Sequence, residues 1–254
     1  MTSKKIIRLS ASPPDFGDTP DELTSDMFVT KLPVQHSHEY YKDDELGLYV
    51  GVWDTTDMIE AAGPYTCDEF MWLIEGEAAI RNCQTGEMEK VSAGEPFIIP
   101  RGYECQWHQV GYLRKFFVIS ENPNEPVPDK PTVESIIVPK ADAPMKPQLS
   151  SQPFLMSDRR PIPKQNVCYR NCSGEFLSGT WECEPFESKM SPFPYHEFAY
   201  LISGSLTLED EQGNKHFFKS GDAVFLPKGV VCSAQATEKL KLFFAIIDRV
   251  NNDQ

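Results

Sequence analysis

Two glutamates and two cysteines recur in this chain at matching places, and they are the groups with which it could do chemistry. Glu69 is followed after six residues by Gly76; farther on, Gly94 is followed after five residues by Pro100-Arg101-Gly102 and then by Cys105. The same order returns 127 to 128 residues later as Glu197, Gly204, Gly221, Pro227-Lys228-Gly229 and Cys232. Zinc accepts both carboxylate and thiolate, yet a metal site needs three or four ligands and each copy offers two. The other reading is that the cysteines act as small buried hydrophobes and that each glutamate hydrogen-bonds strand backbone or a neighbouring tyrosine.

The elements that must position these groups are short and apolar. Leu46 to Trp53, Glu69 to Ile74, Phe97 to Ile99 and Phe116 to Ile119 read as strands, with turns at Gly63-Pro64 and Gln84-Thr85-Gly86 and a stop at Pro100-Arg101-Gly102. Leu177 to Trp181, Glu197 to Ile202 and Phe243-Phe244 repeat them. No amphipathic helix of three turns occurs, so the class is all-β, built as a tandem repeat. Residues 1 to 45 read as an extended arm rich in Pro, Asp and Ser, and Ile136-Ile137 echoes Ile6-Ile7 at the start of a second proline-rich arm. The four prolines between 121 and 133 mark a connector, giving one domain over 1–125 and another over 126–254. The arms are expected to cover barrel edges.

Strand alternation sets what would share a cavity. If Cys105 faces inward, Trp107 and Gln109 go with it, so the first half offers Tyr65, Glu69, Cys105, Trp107 and Gln109. The second offers Phe193, Glu197, Cys232, Ala234 and Ala236, a more apolar set. Aromatic walls with a few convergent polar groups suit a small-molecule ligand, and the first cavity is the better candidate; the alternative is that these aromatics simply fill a closed barrel. A poorly hydrated Glu69 is expected to donate as well as accept hydrogen bonds. Arg101 is the one cation the motif places near this rim, directed outward. His36 and His38 read as an exposed pair in the arm, His108 and His216 as surface groups, and the direction of His196 is left open by the prolines before it.

A formal net charge of -14 repels phosphates and anionic headgroups, so neither nucleic acid nor a membrane surface is an expected partner. No apolar run is long enough to cross a bilayer as a helix. The N-terminal stretch lacks the apolar block of an export signal, so a cytoplasmic location is expected, with the seven cysteines as free thiols.

The paired Glu-x6-Gly and Gly-x5-Pro-x-Gly patterns resemble the two motifs of cupins, and with both copies present the chain resembles a bicupin: two tandem double-stranded β-helix (jelly-roll) barrels. The Trp-Asp or Trp-Glu, Asp-Glu-Phe or His-Glu-Phe and Glu-Gly or Ser-Gly pieces look like the small cupins related to ethanolamine-utilisation proteins and like (S)-ureidoglycine aminohydrolases. In catalytic cupins three histidines and the glutamate hold a divalent metal. The matching positions here carry Gly63 and Tyr65, or Ala62 and Pro64, in the first half and Ser191 and Phe193, or Met190 and Pro192, in the second, with Cys105 and Cys232 for the third histidine. No metal ligand set and no cofactor are therefore expected, a divalent Mn, Fe, Ni or Zn ion being the alternative. Three functions remain: a bicupin binding a small polar metabolite, a metal-dependent hydrolase of the ureidoglycine aminohydrolase type, and a structural or oligomerising cupin. The resemblance implies a small-molecule partner and, through exposed strands and arms, a homodimer.

Overall fold

Alternating apolar positions and glycine-proline corners fold this chain almost entirely into antiparallel sheet. The computed structural model describes residues 4–122, 133–148 and 161–249. Most of the expected connector (123–132) and part of the second arm (149–160) lie outside the described residues. The one helical element among the described residues is a three-residue 3-10 turn, Ser25–Met27.

Two units form. One spans Ser10–Val138; the other joins the residues up to Leu9 to the chain from Pro139 onward. In the first, a sheet ordered Gln35–Asp43, Leu48–Thr55, Leu113–Ser120, Asp68–Glu75, Pro96–Ile99 accompanies a second sheet of Glu104–Gln109, Glu77–Asn82 and Met88–Ser92, extended by Met58–Ile59 and Gly63–Pro64. The other unit repeats this plan. Lys164–Arg170, Phe176–Cys183, Leu240–Ile247, His196–Ser203 and Ala223–Leu226 form one sheet, and Val231–Ala236, Ser205–Asp210 and Lys215–Lys219 the core of its companion. Each barrel encloses its own apolar core: Phe97, Tyr103 and Trp107 with Met71, Leu73 and Ile80 in the first, Phe218, Leu226 and Phe244 with Leu201, Leu208 and Leu240 in the second.

Two sequence expectations change. The chain does not divide at 125/126, because Ile7–Leu9 pairs antiparallel with Ala223–Phe225 and so belongs to the barrel of the second half. Ile137 in turn exchanges both backbone hydrogen bonds with Ile98 (2.8 and 3.0 Å) in the barrel of the first half. Phe225 and Ile98 are equivalent: each lies opposite the phenylalanine that follows the motif glutamate, Phe198 or Phe70. The echoed isoleucine pairs thus meet the same sheet edge, as a three-residue strand at Ile7–Leu9 and as a single bridge at Ile137, satisfying donors that an open edge would leave free. The second change concerns the arm, where Gln35–Asp43 is a nine-residue strand and not extended coil. Its polar character fits an outermost strand, covered on one side only.

The motif glycines Gly76 and Gly204 sit at φ +87° and +83°, and a Cβ on either would run into a backbone carbonyl oxygen, Tyr112 or Lys239. Gly86, at φ +78°, has open space around it. Gly86→Ala should therefore carry only the left-handed penalty of about 1–2 kcal/mol, while Gly76→Ala adds the collision and should lose clearly more in a denaturant titration. Equal losses would show that the close approach is not a constraint.

Candidate ligand-binding site

The first barrel builds a cavity of about 450 Å³ chiefly from odd-numbered residues, with Glu60 and Thr66 the even-numbered ones in its lining. Gln35, Ser37 and Glu39 come from the outer strand, Tyr49 and Trp53 from the next, Lys115, Phe117 and Ile119 from the strand beside it, and Tyr65, Cys67 and Glu69 from the segment entering Asp68–Glu75. The odd numbering is the period-two alternation of a pleated sheet turned toward one interior. Glu60 and Trp107 line this cavity and also an adjoining one of about 200 Å³, which Cys105 helps to wall.

Its centre is an ion pair. Lys115 Nζ lies 2.7 Å from Glu69 Oε1, and both side chains are almost fully buried, at 7% and 4% exposure. The ammonium also contacts Met71 Sδ at 3.0 Å and stands 4.8 Å from the ring centres of both Trp53 and Trp107. Tyr65 Oη donates to Glu69 Oε2. Glu69 thus accepts on both oxygens, which replaces the expectation that it would act as a donor. Arg101, expected near this rim and directed outward, does not line the cavity: its Nη1 donates to the Asn122 carbonyl at 3.2 Å, and the cation in the cavity is Lys115, which the sequence reading did not name.

The Pro100-Arg101-Gly102 corner explains why Tyr65 reaches Glu69. Gly102 N–H donates to the Tyr65 carbonyl at 2.7 Å and Tyr65 N–H to the Tyr103 carbonyl at 2.9 Å, pinning the backbone from which the phenol projects. Arg101 N–H binds the buried Asp68 carboxylate at 3.1 Å and fixes the start of the glutamate's strand. A register shift between Arg114 and Lys115 absorbs one extra residue of the facing strand, so that Lys115 lies opposite Leu73 and continues the inward face of Phe117 and Ile119.

Acid–base character follows from burial. Desolvation pushes the Glu60 carboxyl up to about 7, Lys115 pulling it down and Glu69 pushing it further up. Burial drives the Cys105 thiol to about 12, with Cys83 and nearby carboxylates adding to it, and sends Tyr65 and Cys67 well above their usual ranges. Cys105 is thus a protonated thiol near neutral pH. Gln109 does not line the cavity: it is buried, accepts from Trp107 Nε1 at 3.1 Å and donates to the Glu77 carbonyl at 3.1 Å, steadying the indole from behind.

In the second barrel Glu197 lines a cavity of about 90 Å³ with Trp181, Phe193 and Tyr195, while Cys232 is buried in the core beside it. Burial alone raises the Glu197 carboxyl to about 8. The histidines stand apart from both cavities. His36, expected exposed, is half-buried with Nδ1 2.8 Å from Asp54 Oδ1. His108 contacts Gln106 at 2.8 Å and His216 contacts Asp210 at 3.2 Å. His196 is buried against Phe225 and accepts from Lys228 N–H at 3.3 Å.

Sequence reasoning missed Lys115 and Glu60. Lys115 left a signal, since counting back by two from Ile119 and Phe117 puts a lysine on the inward face of an apolar strand. Glu60 left none in the motif; it is placed by a hydrogen bond from its N–H to the Trp107 carbonyl at 3.0 Å.

Paired sheets, repeated motifs and enclosed cavities give the fold of two tandem cupin barrels. Residues 171–243, in the second barrel, match the EutQ-like cupin domain family. The whole chain resembles a solved protein of unknown function from Pseudomonas syringae pv. tomato (20% identity, TM-score 0.76, covering 96% of this chain and 100% of that one). It also resembles the protein Ylba from E. coli (12%, 0.56, 100% and 95%) and a cupin 2 conserved barrel domain protein from Leptotrichia buccalis (12%, 0.55, 84% and 89%). At these identities the likeness shows the fold. No curated protein matches the sequence.

Two measurements test the electrostatics. Lys115→Met leaves Glu69 buried without its cation and should cost about 3–5 kcal/mol of stability; adding Glu69→Gln should restore a large part, as read by chemical denaturation. For Glu197, the folded value near 8 lies above the unfolded one near 4.5. The folded protein therefore holds a proton that the unfolded chain has lost, and stability falls as pH rises through this window. Thermal melting of Glu197→Gln should show a weaker decline between pH 5 and 8 than the parent, and an unchanged slope would refute the assignment.

Proposed function

We propose that this bicupin binds a small polar metabolite in the first barrel without a metal ion. The observation that carries the reading is Lys115: in a barrel whose motif glutamate would otherwise face a cation, the chain supplies an ammonium 2.7 Å from it. A divalent ion does not fit beside it. Glu69 has both oxygens engaged, Cys105 is held as a thiol, and no group of three or more His, Cys, Asp or Glu side chains stands together among the described residues. A Lys115 N–H offers a carbonyl or carboxylate oxygen of the ligand a charged donor in a poorly hydrated place, where such a bond is worth about 1.5–3 kcal/mol. Trp53 and Trp107 provide flat apolar walls, and Glu60, Tyr65 and Ser37 the polar groups that orient the ligand. The cavity's size and its single barrel of origin favour this over a purely structural cupin.

A second, enzymatic reading is favoured by one observation, the Glu60 carboxyl near pKa 7 facing the same cavity as Lys115. A group that takes and gives up a proton at neutral pH beside a fixed ammonium suits an acid–base step on a bound carbonyl compound.

A thermal-shift screen of small hydroxy, keto and ureido acids should find a stabilising ligand whose binding is lost in Trp107→Ala and in the Lys115→Met/Glu69→Gln double variant, with Glu197→Gln nearly silent. A ligand that binds all these variants alike would refute the first-barrel site. If Glu60 acts chemically, Glu60→Gln should keep binding yet stop solvent deuterium from exchanging into the ligand.

A further inference from the structure

The internal repeat lets one barrel serve as the control for the other. Lys115 lies opposite Trp53 and Leu73 in its strand registers, and Leu242 lies opposite Trp181 and Leu201 in the same places. Glu69 faces Ile119 across the sheet as Glu197 faces Ile246. The second barrel therefore keeps the motif glutamate and the tryptophan that flank the ammonium in the first, but has leucine where the ammonium is carried. Trp107 is likewise replaced by Ala234, which faces Leu208 as Trp107 faces Ile80.

A smaller cavity than the first barrel's lies where leucine and alanine replace the lysine and the second indole. The cavity beside Glu197 measures about 90 Å³ and is walled chiefly by apolar side chains, Trp181, Phe193 and Leu242 among them, with Tyr195, Gln148 and Gln165 as its other polar residues. Glu197 has no hydrogen-bond or ion-pair partner among the described residues. A carboxyl in such a place is costly unless something binds it. An anion is repelled there, and an apolar molecule fills the space but leaves the carboxyl unsatisfied.

We propose that the second barrel is a binding site for a small primary ammonium ion with a short apolar body, its charge seated between Glu197 and Trp181. The first barrel shows the chemistry: the same glutamate and the same indole hold an ammonium that the chain itself provides. In the second, a free amine takes that place. Its size is bounded by the cavity, about three water volumes of roughly 30 Å³ each, which suits a body of a few carbons. The net charge of -14 favours the approach of a cation.

The test is calorimetric titration of the full chain at pH 8 with n-butylammonium, n-butanol and butyrate. Saturable binding of one n-butylammonium is expected, with the isosteric alcohol at least about tenfold weaker and butyrate silent. Glu197→Gln, which keeps shape and removes charge, should weaken the amine roughly ten- to hundredfold. Leu242→Lys should abolish binding by placing a tethered ammonium on the same carboxyl. The proposal is overturned if the amine does not saturate, if the alcohol binds as well, or if either variant binds the amine like the parent. Should Leu242→Lys fail to fold, the isosteric glutamine variant decides alone.

Discussion

The Glu69–Lys115 ion pair is the constraint on which the first barrel depends. Both groups are buried, so each would be costly alone, and their attraction offsets desolvation only if geometry is kept tight and the remaining donors and acceptors are met. The surrounding structure does this. Tyr65 satisfies the second carboxylate oxygen, Met71 and two indole faces surround the ammonium, and Gln109 holds one of those indoles from behind. Replacing any of these with an aliphatic side chain would remove a partner or wall of the charge pair and raise its cost.

The sheet architecture is what makes so polar a centre affordable in the geometric sense: it supplies inward positions from strands distant in sequence. Residues 35–39, 49–53, 65–69, 107 and 115–119 meet because alternation turns every odd position of these strands the same way. The register shift at Arg114 and Lys115 falls just before this regular stretch and skips Ile74 of the facing strand. The corresponding shift occurs between Leu201 and Ser203 in the second barrel, where Leu242 takes the place of Lys115.

Much of the fold was legible because glycine and proline positions are set by backbone need. Gly76 and Gly204 tolerate no Cβ, and the Pro-x-Gly corners recur with their hydrogen bonds to Tyr65 and Phe193. Tyr65, Glu69 and Trp107 could be placed by alternation alone. Gln109 could not, because alternation gives the inward direction but not the depth, and its amide is consumed by backbone carbonyls at the barrel's end. The strand pairing of Ile7 with Phe225 was not legible either: an isoleucine pair marks an edge strand without saying which of two equivalent edges it covers. Lys115 was hidden for a different reason. Sequence reading treats lysine as a surface residue, a rule that fails where a carboxylate and aromatic faces wait in the interior.

The two barrels are thus two answers to one problem, a motif glutamate fixed in an apolar interior by the strand that carries it. In the first, position 115 brings a positive charge and the carboxylate is fully engaged. In the second, position 242 is leucine, tyrosine gives way to Phe193, and burial alone holds the carboxyl near 8. A glutamate without a partner is destabilising by the same physics that makes the paired one stable once formed. Its place in the wall of a cavity, where glutamine or leucine would cost less, is the ground for the proposed occupant from outside the chain. The charge that Lys115 supplies internally defines the sign that occupant must have, and the cavity of about 90 Å³ lined by Leu242 and Ala234 defines its size.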